Sequence, residues 1–272
     1  MMALLGVQFD WGLFFERIFS PNATFGRALL TTVGIAVVAQ FNGVVLGLIS
    51  ALFGMSRFWP LRVISKTYVL LIRGTPVIVQ IFFIYFGANL FLGIDLFPRT
   101  AHVFGLAVSG AIVAGTVALS INEGGYMSEI IRAGITAIDP GQMEAAKSIG
   151  MTRGLAMKRI VLPQAARVIV PPLGNEFNSM LKTTSLLAFI GVYEMFLDAD
   201  INYSRTFKPT EFFAAVAVWY LILTSIWSVI QSRIERRLSR SEHGEAPVPR
   251  RRLGSLRARL LGLQNPAPRQ TP

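Results

Sequence analysis

Glu176 is the side chain whose type and setting ask most plainly for a chemical explanation. It falls inside an otherwise apolar run from Pro163 to Lys182, where an ionisable group is costly unless it faces protein or water. On a helix, Glu176, Ser179 or Met180, and Thr183 share one face. A carboxylate above hydroxyls in this arrangement suits an ammonium or another cationic group. The competing reading is a carboxylate satisfied by a neighbouring helix or a lysine. Two helix breaks offer the opposite chemistry. Thr75 can cap a half-helix starting at Pro76, and Thr183 to Ser185 can cap one starting near Leu186. Half-helix N-termini inside a membrane present free amides and a positive dipole end, which suit a carboxylate. Thr75, Pro76, Glu176, Ser179, Lys182, Thr183 and Ser185 are therefore the candidate residues for a polar ligand in an apolar setting.

Bond-breaking chemistry has little to work with. There is no cysteine, and the two histidines, His102 and His243, lie far apart in the sequence, so no metal site and no catalytic residue is expected. No Gly-x-x-x-x-Gly-Lys-Ser/Thr phosphate loop occurs either, so nucleotide hydrolysis is not expected in this chain.

The elements that must position these residues are membrane helices. Hydrophobic residues make up 53% of the chain and charged ones 15%, against roughly 25% charged in soluble domains. The apolar runs predict five spans, at about residues 28–55, 76–91, 103–121, 163–182 and 212–234. Pro76 divides the long run 61–91, because it lacks an amide and clashes with the carbonyl of Ile72. After Ile121 the chain turns polar through Asn122-Glu123-Gly124-Gly125, which predicts a separate helical piece from Tyr126 to Ile138. In that piece Glu129 and Arg132 stand one turn apart, either as a plain surface pair or as part of a gate. Pro171-Pro172 should bend the fourth span.

Charge placement orients the set. The net charge is +11, of which the segment from Arg233 onward carries +7, ten arginines against three glutamates. A basic excess beside a last span marks a cytoplasmic end and not a nucleic-acid site. Five spans then put the N-terminus outside and the C-terminus inside. Residues 1–23 form an N-terminal segment with no signal peptide expected. Trp11, Phe14, Phe15 and Ile18 recur there at helical spacing, either in the interface plane or as an ordinary ordered terminus. Residues 237–272 form a basic tail without a core, in which Leu253, Leu256, Leu260 and Leu263 among arginines read equally as an amphipathic segment on the inner leaflet or as a solvated tail.

One polar stretch, Asp139 to Pro163, interrupts the apolar pattern. Asp139 is an N-cap, Pro140 suits the first helical position, and Gly150 can end the helix in the left-handed conformation. Thr152 can cap a second short helix running into Leu162 and Pro163. Glu144-Ala145-Ala146, Gly150, Ile160 and Leu162-Pro163 resemble, position for position, the cytoplasmic loop signature of ABC importer permeases. Ile72-Arg73-Gly74-Thr75-Pro76, the run from Tyr126 to Ile135, and Gly174-Asn175-Glu176 with Lys182 are similar to the permeases for polar amino acids, the histidine and glutamine type. The resemblance covers residues 24–236.

It implies an all-α membrane fold of the ABC type I importer class, with five transmembrane helices and two cytoplasmic coupling helices. It also implies residence in the cell (inner) membrane. The matching residues Glu144, Ala145, Ala146, Gly150, Ile160, Leu162 and Pro163 would dock into an ATP-binding cassette subunit, which holds the ATP and Mg; no cofactor is implied for this chain itself. A second permease subunit, identical or related, and an extracytoplasmic amino-acid-binding protein are further implied partners. Members of the family often carry Asp or Asn where this sequence has Thr183, which weakens the case for a strongly cationic substrate. The alternative is an ion-coupled secondary amino acid carrier. Such carriers show internal repeats with matched broken helices, and no repeat is evident here.

Overall fold

The computed structural model describes residues 9–87, 90–91, 93, 95–103 and 106–240. The chain divides into two compact units, residues 1–235 and 236–272. Of the second, only residues 236–240 are described, as the end of the last helix. The leucine–arginine pattern at 251–263 lies outside the described residues, as does His243.

A short helix α1 (Trp11–Phe19), capped by Asp10 accepting from the Leu13 amide, precedes the long helix α2 (Ala23–Gly54). Helix α3 (Trp59–Gly74) follows, then α4 (Val77–Phe82), which passes into a π-helical turn at Phe83–Gly87. Between α3 and α4 the chain bends by 109°. Two antiparallel strands come next, β1 (Thr100–Val103) and β2 (Leu106–Ser109), paired with Thr100 opposite Ser109. Helix α5 (Gly110–Thr136) leads to the short α6 (Pro140–Ser148) and α7 (Arg153–Ala156). From α7 a π-helical turn (Met157–Val161) runs into α8 (Leu162–Thr183), which tightens to a 3-10 helix (Thr184–Ile190). Helices α9 (Met195–Thr206) and α10 (Pro209–Arg240) complete the described chain.

Several expectations from sequence are corrected here. The helix expected from Val103 starts at Gly110, because residues 100–109 pair as strands. A Cβ at Gly110 would lie 2.1 Å from the Pro98 carbonyl oxygen, so the loop before β1 closes directly over a bare helix start. The polar stretch 122–125 does not interrupt α5. Gly124 sits against Leu46 and the Tyr68 hydroxyl, and Gly125 against Ile72, so close approach to α2 and α3 keeps two poor helix formers helical. The break expected at Thr183–Ser185 is absent as well. The hydroxyls of Thr183, Thr184 and Ser185 donate back to Ser179 O, Leu181 O and Lys182 O, and the helix continues to Ile190. It stops where Gly191 takes φ +80°. No half-helix N-terminus exists at Leu186.

Among the described residues two helices, α2 and α10, are each long and apolar enough to cross a bilayer. Two bent pairs qualify when each is taken as one span: α3 with α4, and the run 153–190 with α9, bent by 50°. Helix α5 has 27 residues, but Asn122 and Glu123 dilute its apolar composition. Both are buried, so the cost of placing them in an apolar zone is met by neighbouring helices. Among the described residues the core forms three clusters. The middle one joins α2, α4, α5, α8 and the 3-10 turn around Ile35, Ile81, Leu119 and Leu187. A second joins Ala51, Met127, Ile131, Ile135, Val161 and Ala165, and a third joins Phe25, Met195, Phe212 and Val216. The outward faces carry large apolar side chains such as Leu30, Phe41, Leu70 and Leu221. So many exposed large apolar side chains mark contact with lipid or protein.

A polar cleft at a broken helix

The α3–α4 break follows from one proline. Pro76 has no amide to offer, which frees the carbonyl of Ile72. Gln80, one turn into α4, folds back and donates to Ile72 O at 2.8 Å and to Thr75 Oγ1 at 2.8 Å. Asn122 of α5 then donates to Gln80 Oε1 at 3.0 Å. Thr75 was expected to cap α4. Instead its hydroxyl donates back to Leu71 O at 2.8 Å, and the N-cap of α4 is Pro76, with no side-chain cap. The break is thus held from inside the bundle, by an amide network spanning α3, α4 and α5.

Beside it opens a cleft of about 530 Å³. The break contributes Arg73, Thr75 and Pro76; α5 contributes Asn122, Glu123 and Tyr126; α8 contributes Glu176, Ser179 and Thr183. The Glu176 face expected from helical spacing therefore opens into this space. The Arg73 guanidinium lies 5.5 Å from the centre of the Tyr126 ring, a distance at which the ring face attracts a cation. Glu123, 4% exposed, accepts from Gln40 Nε2 at 2.9 Å, while Gln40 Oε1 has no partner among the described residues. Gly43 lets α2 come this close, since a Cβ there would lie 2.4 Å from Glu123 Cγ. The cleft thus gathers two carboxylates, one guanidinium, an aromatic face and several hydroxyl and amide groups.

Of the seven residues proposed from sequence, Thr75, Pro76, Glu176, Ser179 and Thr183 line this cleft. Lys182 and Ser185 do not. They face a largely apolar recess of about 660 Å³ with Phe196, Phe213 and Tyr220. At 100° per residue Lys182 is turned away from Glu176, so it is not the cation that satisfies it. Arg73, Asn122, Glu123 and Tyr126 were not singled out as ligand-facing. Glu123 was hidden in a stretch that read as a turn, and only its burial within an unbroken α5 reveals it.

The second site is the polar segment 139–163. Asp139 caps α6 by accepting from the Gly141 amide at 2.8 Å. At the other end Gly150 takes φ +85°, the Gly150 amide donates to Lys147 O, and the Met151 amide donates to Ala146 O. This pair of bonds is a Schellman motif, which satisfies the Lys147 and Ala146 carbonyls left over at the helix end. Thr152 caps α7, as its spacing suggested. Glu144, Ala145, Gly150, Leu162 and Pro163 are exposed, Ile160 is half-buried, and Ala146 is buried. Ile149 is 76% exposed, a large apolar side chain that no described residue covers. Met143 and Met157 pack the segment onto Ile131, Ile135 and Ala165. It is therefore seated on α5 and α8, the two helices that wall the cleft.

Residues 43–240 match the family described as "Binding-protein-dependent transport system inner membrane component". The chain is 37% identical over 231 residues to the probable amino-acid permease protein YxeN of Bacillus subtilis, covering 85% of this chain and 96% of that protein. It is 39% identical over 244 residues to the arginine transport system permease protein ArgU of Corynebacterium glutamicum, covering 86% of this chain and 73% of that protein. Among solved structures it is similar to a chain of an amino acid ABC transporter crystallised with histidines. There the identity is 37% and the TM-score 0.72, covering 85% of this chain and all of that one.

Proposed function

This chain belongs to the family of inner membrane components of binding-protein-dependent transport systems, and from that premise we propose how it carries its substrate. It is a multi-pass membrane protein and the permease subunit of an ATP-driven ABC importer for a polar amino acid. Family membership favours this over an ion-coupled carrier. ATP and Mg act on a separate ATP-binding subunit. A second permease subunit and an extracytoplasmic binding protein complete the assembly. Five spans follow if α2, the α3–α4 pair, α5, the run from α7 through α8, and α10 each cross once, with the N-terminus outside and the C-terminus inside.

The observation that carries the reading is the cleft at the α3–α4 break. The amino acid enters it with its ammonium toward Glu176 and its carboxylate toward the break, where Arg73 and the start of α4 lie. Dedicated partners suit a zwitterion better than an apolar pore would, because each unpaired charge is expensive at this depth. The exposed segment at α6 and α7, with Glu144, Ala145, Ala146, Gly150, Ile160, Leu162 and Pro163, docks into the ATP-binding subunit. Its seating on α5 and α8 makes it a lever: a push at Ile149 or Met143 moves the walls that carry Glu123, Tyr126 and Glu176. Coupling through contiguous packed elements is the physical basis of such transmission.

The test is reconstitution with the ATP-binding subunit and binding protein in proteoliposomes. Uptake should require ATP on the side of the ATP-binding subunit and persist when ionophores collapse every ion gradient. Uptake driven by a gradient without ATP would overturn the reading.

A further inference from the structure

A second cleft, of about 650 Å³, opens on the side where α5 runs on toward α6. Its polar lining comes from Ser65, Lys66 and Arg73 of α3 and from Ser128, Glu129 and Arg132 of α5. Arg73 and Gly74 line both clefts. The two spaces therefore meet at one arginine, on the last turn of α3.

The charges of the second cleft are unevenly committed. Arg132 holds Glu129 through two contacts, at 3.2 and 2.7 Å, so these two charges neutralise each other. The serines are satisfied among themselves: Ser65 Oγ donates to Ser50 O at 2.7 Å, and Ser128 Oγ donates to Ser50 Oγ at 2.9 Å. Among the described residues neither Lys66 nor Arg73 is in an ion pair. What remains is a cleft with a surplus of two cations on the route toward the coupling segment. Arg73 stands over the Tyr126 ring and shares the lining of the first cleft with Glu176 and of the second with Glu129. A long side chain held on an aromatic face at the junction of two clefts can reach into either by rotation, and among the described residues no ion pair ties it to one side.

We propose that Arg73 carries the α-carboxylate of the transported amino acid from the first cleft into the second, where Lys66 receives it. The inference rests on the importer reading above and names the inward route within it. When the substrate sits against Glu176, its carboxylate pairs with Arg73. As the first cleft narrows, the guanidinium swings about Tyr126 into the second cleft with the carboxylate still bound, and Lys66 adds the second cation that draws it inward. Release follows because the lower end of the second cleft offers only the neutralised Arg132–Glu129 pair.

The experiment uses the complete complex in proteoliposomes, with binding protein and amino acid saturating. It records uptake per assembled complex and ATP hydrolysed per molecule imported, for wild type, Arg73→Gln, Arg73→Lys and Lys66→Gln. Arg73→Gln should lower uptake about tenfold and raise ATP consumed per import, and Lys66→Gln should lower uptake about threefold. Arg73→Lys, which keeps the charge, should recover most of the loss. Uptake by Arg73→Gln at the wild-type rate overturns the proposal, and so does a defect in Arg73→Lys equal to that of Arg73→Gln. A wild-type complex without ATP-driven uptake would instead sink the importer reading, so the two failures are distinct.

Discussion

Two of the places where sequence suggests a broken membrane helix behave in opposite ways. At Thr75–Pro76 the axis turns by 109°. At Thr183–Ser185 it continues, tightened to 3-10 geometry, until Gly191. Both carry hydroxyl residues that can compete with the backbone for hydrogen bonds. The difference is that Pro76 removes an amide outright, whereas Thr183, Thr184 and Ser185 keep theirs and turn their hydroxyls onto carbonyls three or four residues back. A polar cluster loosens a helix only when a backbone partner is lost and something else takes the carbonyl left over. At the proline that something is Gln80. Past the 3-10 turn the groups left over are amides at the start of α9, and there the Glu194 carboxylate accepts from the amides of Phe196 and Leu197 and from the Tyr220 hydroxyl, at 2.9, 2.8 and 2.9 Å. The break that lies open beside a cleft is the first, and the ligand-facing groups gather there.

Substitutions can sharpen or break this contrast, read as midpoints of thermal unfolding of the detergent-solubilised complex. Glu194→Ala should have the largest effect. Glu194 is fully buried, and its loss strands two amides and a phenol hydroxyl, a cost of about 3–4 kcal/mol. Gln80→Leu should come next, at about 2–3 kcal/mol, because Ile72 O and Asn122 Nδ2 lose a partner together. Ser185→Ala should change stability by under about 0.5 kcal/mol, since its hydroxyl only doubles a bond the helix already makes. If Ser185→Ala were as damaging as Gln80→Leu, the contrast between the two sites would be false.

The smallest effect concerns the exposed pair that ties the start of α1 to the approach of α10. Lys208 Nζ donates to Asp10 Oδ2 at 2.7 Å, and this bond, together with the Leu13 amide, holds the Asp10 carboxyl below its ordinary value of 3.8. A depressed carboxylate contributes stability above that value and loses it as pH falls through the folded one. The pair's contribution should therefore fade only in acid below pH 3.8. It should also shrink with added salt, because both groups are solvent-exposed. Wild type and Lys208→Gln should unfold at slightly different temperatures near neutrality and converge in acid.

What could be read from sequence was whatever depends on neighbours along the chain. Pro76 as a break, Asp139 and Thr152 as caps, and Gly150 as a left-handed stop are all decided within one turn. So is the shared face of Glu176, Ser179 and Thr183, which follows from helical pitch alone. What could not be read depends on segments far apart. Gly124 and Gly125 look like a turn, and only α2 and α3 pressing on them keep α5 straight. With α5 taken as interrupted, Glu123 and Tyr126 belong to no common surface with Glu176. The burial of the Glu194 carboxylate is likewise invisible in the sequence, because nothing local signals that Tyr220 will reach it across 26 residues. Pairing of Thr100–Val103 with Leu106–Ser109, where a helix start was expected, depends on Gly110 passing under the Pro98 carbonyl.

The central claim is that the amino acid crosses beside the α3–α4 break, with Glu176 as its cationic-end partner. ATP-driven uptake by the reconstituted complex carrying Glu176→Gln tests it most directly, because the amide keeps the shape and removes only the charge. Uptake should fall more than about tenfold, with a shift in preference among amino acids. An unchanged rate with unchanged preference would contradict the account and move the path elsewhere in the bundle.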